Sequence, residues 1–383
     1  MSYTTVPPFP TPVRKAGAPL VAIIALGTIA ALILTLLTAA DPARAALGFV
    51  PATLATAVVL LCYLWLDRWE PEPPRLLVLA FLWGASVAVV LSVALEHLLE
   101  NLVATGRQQT SFFTAAVGAP VIEEATKGLF LLLMMTGHRR RELNTLTDCL
   151  VYAGITAAGF AWLENIFYIA SAETPAASVA IAGLRLVLSP FAHPLFTTMF
   201  GIGVHFALRQ RGTFGKVACL LIGYAAAVLL HGMWNGSALL GAGTYLGVYV
   251  LWMMPIFGLS VALAVASRRR EQRIVAEKLP GMVAAGLITP AEASWLGSFP
   301  ARKLAVQTAL RYGGKPAGSA VKKFASRVVE LAYVRDRIDR GFGDERVFAM
   351  QNEEVYAVAA ARANAAPALH QLSWFRFRSG PGY

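Results

Sequence analysis

The chain has 383 residues, of which 57% are apolar and only 14% charged, with a mean hydropathy of +0.58. A soluble chain carries about a quarter charged residues, so a wholly soluble globular protein is excluded. The net charge of +11 is unevenly spread: residues 1–267 hold 14 Lys/Arg and 12 Asp/Glu, residues 268–383 hold 19 and 10. Basic segments beside a membrane face the cytoplasm and anionic lipid, so nucleic acid is not an expected partner.

A helix needs about 20 apolar residues to cross the hydrocarbon core. In chain order the apolar runs predict eight spans, at about 18–40, 46–66, 75–97, 111–135, 145–170, 178–208, 215–239 and 244–266. The first run is as long as a span and is followed by further spans, which argues against a cleavable signal peptide. The sixth run is interrupted by Pro190 and Pro194, so a kink or tilt is expected there. Alternate loops carry Arg14 and Lys15, Arg68 and Arg75, Arg139 to Arg141, Arg209, Arg211 and Lys216, and Arg268 to Arg270; the opposite loops carry only Arg44 and Arg107. Positive charge favours the cytoplasmic side, so both termini are expected there, in a bacterial-type plasma membrane. Cys62, Cys149 and Cys219 fall in or beside apolar runs and form neither a disulfide framework nor a zinc spacing.

The expected organisation is an N-terminal cytoplasmic segment (1–17), an all-α transmembrane core (18–266) and a basic, helical cytoplasmic tail (267–383). In the tail, Thr289-Pro290-Ala291-Glu292 reads as a capping box with proline at the first helical position. Val321, Phe324, Val328, Leu331, Val334 and Ile338 recur at three- and four-residue spacing, which predicts an amphipathic helix over 319–340. Another helix is expected over 344–364 from Asp344, and the tip from about 365 reads as disordered.

Ionisable groups inside a bilayer cost several kcal/mol unless paired or solvated, and mark functional sites. The fourth span carries Glu123, Glu124 and Lys127, at spacings that let the lysine neutralise one carboxylate and leave the other for acid–base work. The fifth carries Phe160, Glu164 and Asn165, the sixth His193 with Thr197 and Thr198, the seventh His231 and Asn235 one turn apart. His231 and Asn235 could donate toward one oxyanion, or clamp two helices. Counted along the spans, all four sets lie at similar depth, with Glu123 and Glu124 roughly 15 Å in at 1.5 Å per residue. One site requires a shared level; independent clamps do not.

These residues carry a family resemblance. Glu123-Glu124-Ala125-Thr126-Lys127 resembles the EExxK motif of PrsW-type intramembrane proteases, Phe160 to Asn165 their FxxxEN motif, and His193 and the HxxxN of His231 to Asn235 the remaining two, in the same order on successive spans. The family shares a superfamily with the CAAX-prenyl proteases and the CPBP proteins. The resemblance covers about residues 15–266 and does not extend to the tail. It implies hydrolysis of peptide bonds in membrane-associated protein substrates, by a site drawn from Glu123, Glu124, Lys127, Glu164, Asn165, His193, His231 and Asn235, and in the founding member cleavage of an anti-sigma factor, a single-span regulator. Two chemistries are open: a glutamate-activated water with no cofactor, the favoured one, or Zn²⁺ held by ligands drawn from His193, His231, Glu124 and Glu164 with an open position for water. In the first, Glu123 or Glu124 is the base, Lys127 tunes the pair, His231 and Asn235 hold the oxyanion, and Glu164 and His193 orient water or protonate the leaving amine. A proton-coupled transporter also buries carboxylates and histidines, but the inverted repeats that would favour it are not evident in the sequence. A non-catalytic membrane scaffold would keep the fold and use the tail for partners.

Overall fold

The structure is a computed structural model, which describes residues 20–68, 72–103, 112–343 and 345–373. The expected segment 1–17, Arg107 and the Asp344 helix start lie outside these residues. Every regular element among the described residues is helical, as expected of an all-α polytopic membrane protein. The chain divides into two compact units, one of residues 15–267 and one that contains residues 268–383.

The first unit is built from α1 (Leu20–Ala40), α2 (Pro42–Leu66), α3, α4, α5 (Leu146–Ala170), α6, α7 (Ala192–Leu208), α8 (Thr213–Leu239) and the start of α9. Four of these helices contain a wide π-turn. In α3, Pro74–Leu82 passes through Trp83–Ala88 into Val89–Val103; α4 opens with Thr114–Gly118 and continues as Ala119–Met134. In α6, Pro175–Ala182 ends in Gly183–Leu188; in α9, Ala242–Val248 passes through Tyr249–Met253 into Met254–Ala284. Among the described residues six helical stretches are long and apolar enough to cross a membrane: Pro42–Leu66, Pro74–Leu102, Leu146–Ala170, Pro175–Leu208, Thr213–Leu239 and Ala242–Ala284. The other two members of the expected eight are α1, apolar over Ile23–Leu32, and α4, whose three charged residues set it apart from ordinary spans. The expected break in the sixth run falls at Ser189–Phe191, and the helix restarts at Ala192 with Pro194 in its first turn. Proline is tolerated there because no intrahelical N–H bond is lost.

The central helix is α5, in which every residue from Thr147 to Ala161 is buried. Small residues let α3 approach it closely. A Cβ on Gly84 would sit 1.9 Å from the Thr156 carbonyl oxygen, and one on Gly159 would sit 2.1 Å from that of Phe81. Helix association in lipid relies on this kind of tight backbone packing. A second such crossing, of α8 on α4, uses Gly232, where a Cβ would meet the Ala116 carbonyl oxygen at 2.5 Å.

The second unit has a conventional apolar core that includes Trp295, Phe324, Val328 and Leu331. Beyond the end of α9 it contains α10 (Pro290–Leu296), α11 (Phe299–Arg337, followed by a π-turn Ile338–Phe342) and α12 (Glu345–Leu372). The capping box forms at α10, with Thr289 and Glu292 bonding each other's backbone N–H. The predicted stripe from Val321 to Val334 is buried, within a helix that starts twenty residues earlier than expected and kinks at Gly314, whose φ is +71°. The tip is not disordered at 365: α12 continues to Leu372, because Ala361, Ala365, Ala368, Leu369 and Leu372 bury one face despite Pro367.

Candidate active site

Four helices of the first unit bring their polar residues to one place. Glu123, Glu124 and Lys127 come from α4, Glu164 from α5, His193 from the first turn of α7, and His231 from α8. Lys127 is the hub. Its Nζ, wholly buried, donates to Glu124 Oε1 at 2.7 Å and to Glu123 Oε2 at 3.1 Å, and lies 3.1 Å from His193 Nδ1. It also sits 4.1 Å from the centroid of the Phe160 ring, so the aromatic of the FxxxEN segment adds a cation–π contact. An ammonium has three donors and no acceptor, and here all three directions are used.

The two glutamates differ in how fully they are engaged. Glu124 is 0% exposed. Its Oε1 meets Lys127 and, at 3.0 Å, His231 Nδ1; its Oε2 accepts from the Thr197 hydroxyl at 2.7 Å. Glu123 has a hydrogen bond from Lys127, and its Oε2 lies 3.9 Å from both His193 Nδ1 and His231 Nε2. Adjacent residues on a helix point about 100° apart, so the two carboxylates approach α7 and α8 differently: Glu124 bonds Thr197 and His231 Nδ1, whereas Glu123 stops 3.9 Å from His193 Nδ1 and His231 Nε2.

Each imidazole is held from behind by a carboxylate. An ionised carboxylate only accepts, so His231 Nδ1–H donates to Glu124 and His193 Nε2–H donates to Glu164 Oε2 at 2.7 Å. That leaves the lone pair of His231 Nε2 on the side of Glu123, while the lone pair of His193 Nδ1 accepts from the Lys127 ammonium. Phe196 stacks on His231 with ring centroids 4.8 Å apart, and Phe160 and Phe196 both pack against His193. Glu123, His193 and His231 each offer one ligand atom, all within 4.8 Å of one another. Two imidazole lone pairs and a carboxylate oxygen form a set of acceptors suited to a cation, and carboxylates behind the histidines are the usual means of orienting metal-bound imidazoles. The donor types fit a divalent metal, which would take the place of the Lys127 ammonium at Glu123 Oε2 and His193 Nδ1. The set differs from the expected ligands: Glu123 belongs to it, whereas Glu124 and Glu164 lie behind the rings.

Two expected members point elsewhere. Asn235 donates its amide to the Ala115 carbonyl at 3.0 Å, locking α8 to the π-turn of α4 beside the Gly232 crossing. It and His231 do not aim at one point. Asn165 accepts at 2.6 Å from Arg185 Nε, and the same guanidinium pairs with Glu164. Arg185 was absent from the expected set. It is the only charged residue between Glu173 and Arg209, a signal as plain as the glutamates, and it lies in a π-turn of the kind often found at functional sites.

Residues 72–260 match the family described as "PrsW family intramembrane metalloprotease". The chain is 28% identical to Protease PrsW of Geobacillus kaustophilus over 210 residues, 53% of this chain and 86% of that one. It is 26% identical to Protease PrsW of Bacillus subtilis over 209 residues (54% and 88%) and to that of Clostridioides difficile over 185 residues (48% and 76%). No solved structure matches it significantly. Apolar helices around a buried cluster of carboxylates and histidines, with these relatives, define an integral membrane enzyme, an intramembrane protease acting on membrane-protein substrates. Over about half its length the chain resembles the PrsW family.

Proposed function

We propose that Glu123 is the reactive carboxylate of this protease and that the other charged residues of the cluster hold it, the imidazoles and the substrate in register. The observation that carries this is the unequal engagement of the two glutamates: Glu124 accepts from Lys127, His231 and Thr197, while Glu123 has a hydrogen bond from Lys127 and lies 3.9 Å from His193 Nδ1 and His231 Nε2. In the hydrolytic step Glu123 takes a proton from the attacking water and returns it to the leaving amine. Lys127 supplies positive charge against which a tetrahedral oxyanion forms. Glu124 and Glu164 fix the tautomers of His231 and His193, and Arg185 anchors Glu164 and Asn165. Phe160 and Phe196 exclude bulk water from the imidazoles. Asn235 positions α8 on α4. Were Zn²⁺ bound, Glu123, His193 and His231 would hold it, Glu123 would serve as a ligand in place of the base, and the ion would supply a Lewis acid and an acidified water.

The substrate is a single-span membrane protein of the anti-sigma type, cut where its chain passes the cluster. The loop arginines orient the chain with both termini in the cytoplasm, and a topology reporter fused after Arg270 reads cytoplasmic. Residues 267–383 form a separate cytoplasmic tail that the chemistry does not need. The test is cleavage of a purified single-span substrate in detergent or vesicles, with and without chelator. The reading expects cleavage; loss with chelator that Zn²⁺ reverses would assign Glu123 to the metal rather than to the water. Cleavage untouched by exhaustive chelation removes the metal and leaves Glu123 as base; no cleavage of any single-span substrate contradicts the proposal.

A further inference from the structure

Hydrolysis consumes one water for each bond cut, yet Lys127 and Glu124 are 0% exposed and His231 1%. Water entering such a centre from the membrane must follow polar groups, since an unsatisfied polar group in hydrocarbon is costly. The third helix supplies a row of them that the mechanism above does not use. Ser92 Oγ lies 2.8 Å from Thr126 Oγ1, and Thr126 in turn donates to the backbone carbonyl of Glu123 at 2.9 Å. Seven residues along α3, Leu99 packs where a Cβ on Gly118 would come within 2.5 Å of its Cδ2. These two contacts set an antiparallel register between α3 and α4. Four residues on from Ser92 is Glu96; four back from Thr126 is Ile122. Glu96 therefore stands at the level of Ile122 and Glu123.

Ser92, Glu96 and Glu100 are spaced i, i+4, i+8 and share one face of the helix. Along that face burial falls from Ser92, 1% exposed, through a half-buried Glu96 to an exposed Glu100. Among the described residues Glu96 Oε1 is buried without a hydrogen-bond partner. Buried carboxyl oxygens with no protein donor are met by water. Leu95 and Leu98 are exposed and apolar (44 and 53%) and lie about 100° and 160° round the helix from Glu96, so the lipid-facing surface of α3 is distinct from this row.

We propose that Glu96 is a further positioning residue: with Ser92 and Glu100 it lines the route by which water passes from the Val103 end of α3 to Glu123. The proposal rests on the hydrolytic reading of the Glu123 centre, and its test separates the two. Single cysteines are placed in a protein freed of Cys62, Cys149 and Cys219, and labelled with a charged, membrane-impermeant thiol reagent. Glu96→Cys and Glu100→Cys are expected to react at least tenfold faster than Leu95→Cys and Leu98→Cys on the lipid face. Glu96→Cys as inert as those controls overturns the route even in a protein that cleaves substrate. Fast labelling supports it, even in a protein that cleaves nothing. In the cleavage assay Glu96→Leu should lower kcat at least tenfold with KM within twofold, while Glu96→Gln, still polar, stays within threefold of wild type. Wild-type kcat in well-folded Glu96→Leu overturns the proposal as well.

Discussion

The two units solve the burial of charge in opposite ways. In the tail, Trp295, Phe324, Val328 and Leu331 occupy the interior, and Arg327, Glu330 and Glu354 meet at a half-buried rim. In the membrane unit, Leu54, Leu61, Ile222 and Leu229 are each 60–70% exposed, while Glu123, Glu124, Lys127 and His231 lie at the centre. Where the surroundings are hydrocarbon, apolar surface has little to gain by turning inward, and van der Waals packing and interior polar contacts hold helices together. A charge at a tail rim can be lost and replaced by water; a charge in the membrane centre cannot.

The sharpest way to break that comparison is Lys127→Met. It leaves two buried carboxylates without their shared cation, a loss of about 3–5 kcal/mol for a buried pair stripped of one partner. Abundance in the membrane and thermal unfolding in detergent should both drop severely. A Lys127→Met protein with normal abundance and melting temperature would mean that the cluster is solvated and that the contrast with the tail is false.

At the other extreme stands Glu354. Burial, and then the neighbouring Glu330 that competes for Arg327, push its carboxyl up to about 7. The folded tail therefore keeps a proton that the unfolded chain releases near its ordinary value of 4.5. Stability contributed by this group is full below about pH 4.5, declines up to about 7, and is gone above it. Glu354→Gln should flatten that slope and protect α12 slightly above pH 7, by less than about 1 kcal/mol, as for other rim pairs. Hydrogen exchange of α12 at pH 5 and pH 8, in the full-length protein, reads the difference. Equal slopes in the two proteins would show that Glu354 is solvated like any surface carboxylate.

How much of this was legible in the sequence follows from the same contrast. In an apolar background every charge stands out, so Glu123, Glu124, Lys127, Glu164, His193 and His231 could be picked out, and counting along spans put them at one depth. Direction around a helix is harder to read. Asn235 shares a face with His231, but the Gly232 crossing carries its amide to Ala115. Depth alone also could not tell that Glu124 would sit behind His231, since that depends on where α8 and α7 meet α4. Arg185 and Glu96 were as visible as the glutamates, but belonged to no motif. In the tail the amphipathic period marked the buried stripe of α11. The end of α12 was missed because its core-facing residues beyond 360 are mostly alanines, which carry little periodic signal, and Pro367 reads as a breaker.

The central claim is that Glu123 reacts while Glu124 holds the site. The direct measurement is the rate of cleavage of one single-span substrate by Glu123→Gln and Glu124→Gln proteins, normalised to folded enzyme. Glu123→Gln should be present at wild-type abundance and at least about 10² slower, the contribution of a general base. Glu124→Gln should first lose abundance, because Lys127, His231 and Thr197 lose their shared acceptor. A folded Glu123→Gln protein that cleaves at the wild-type rate would contradict the account.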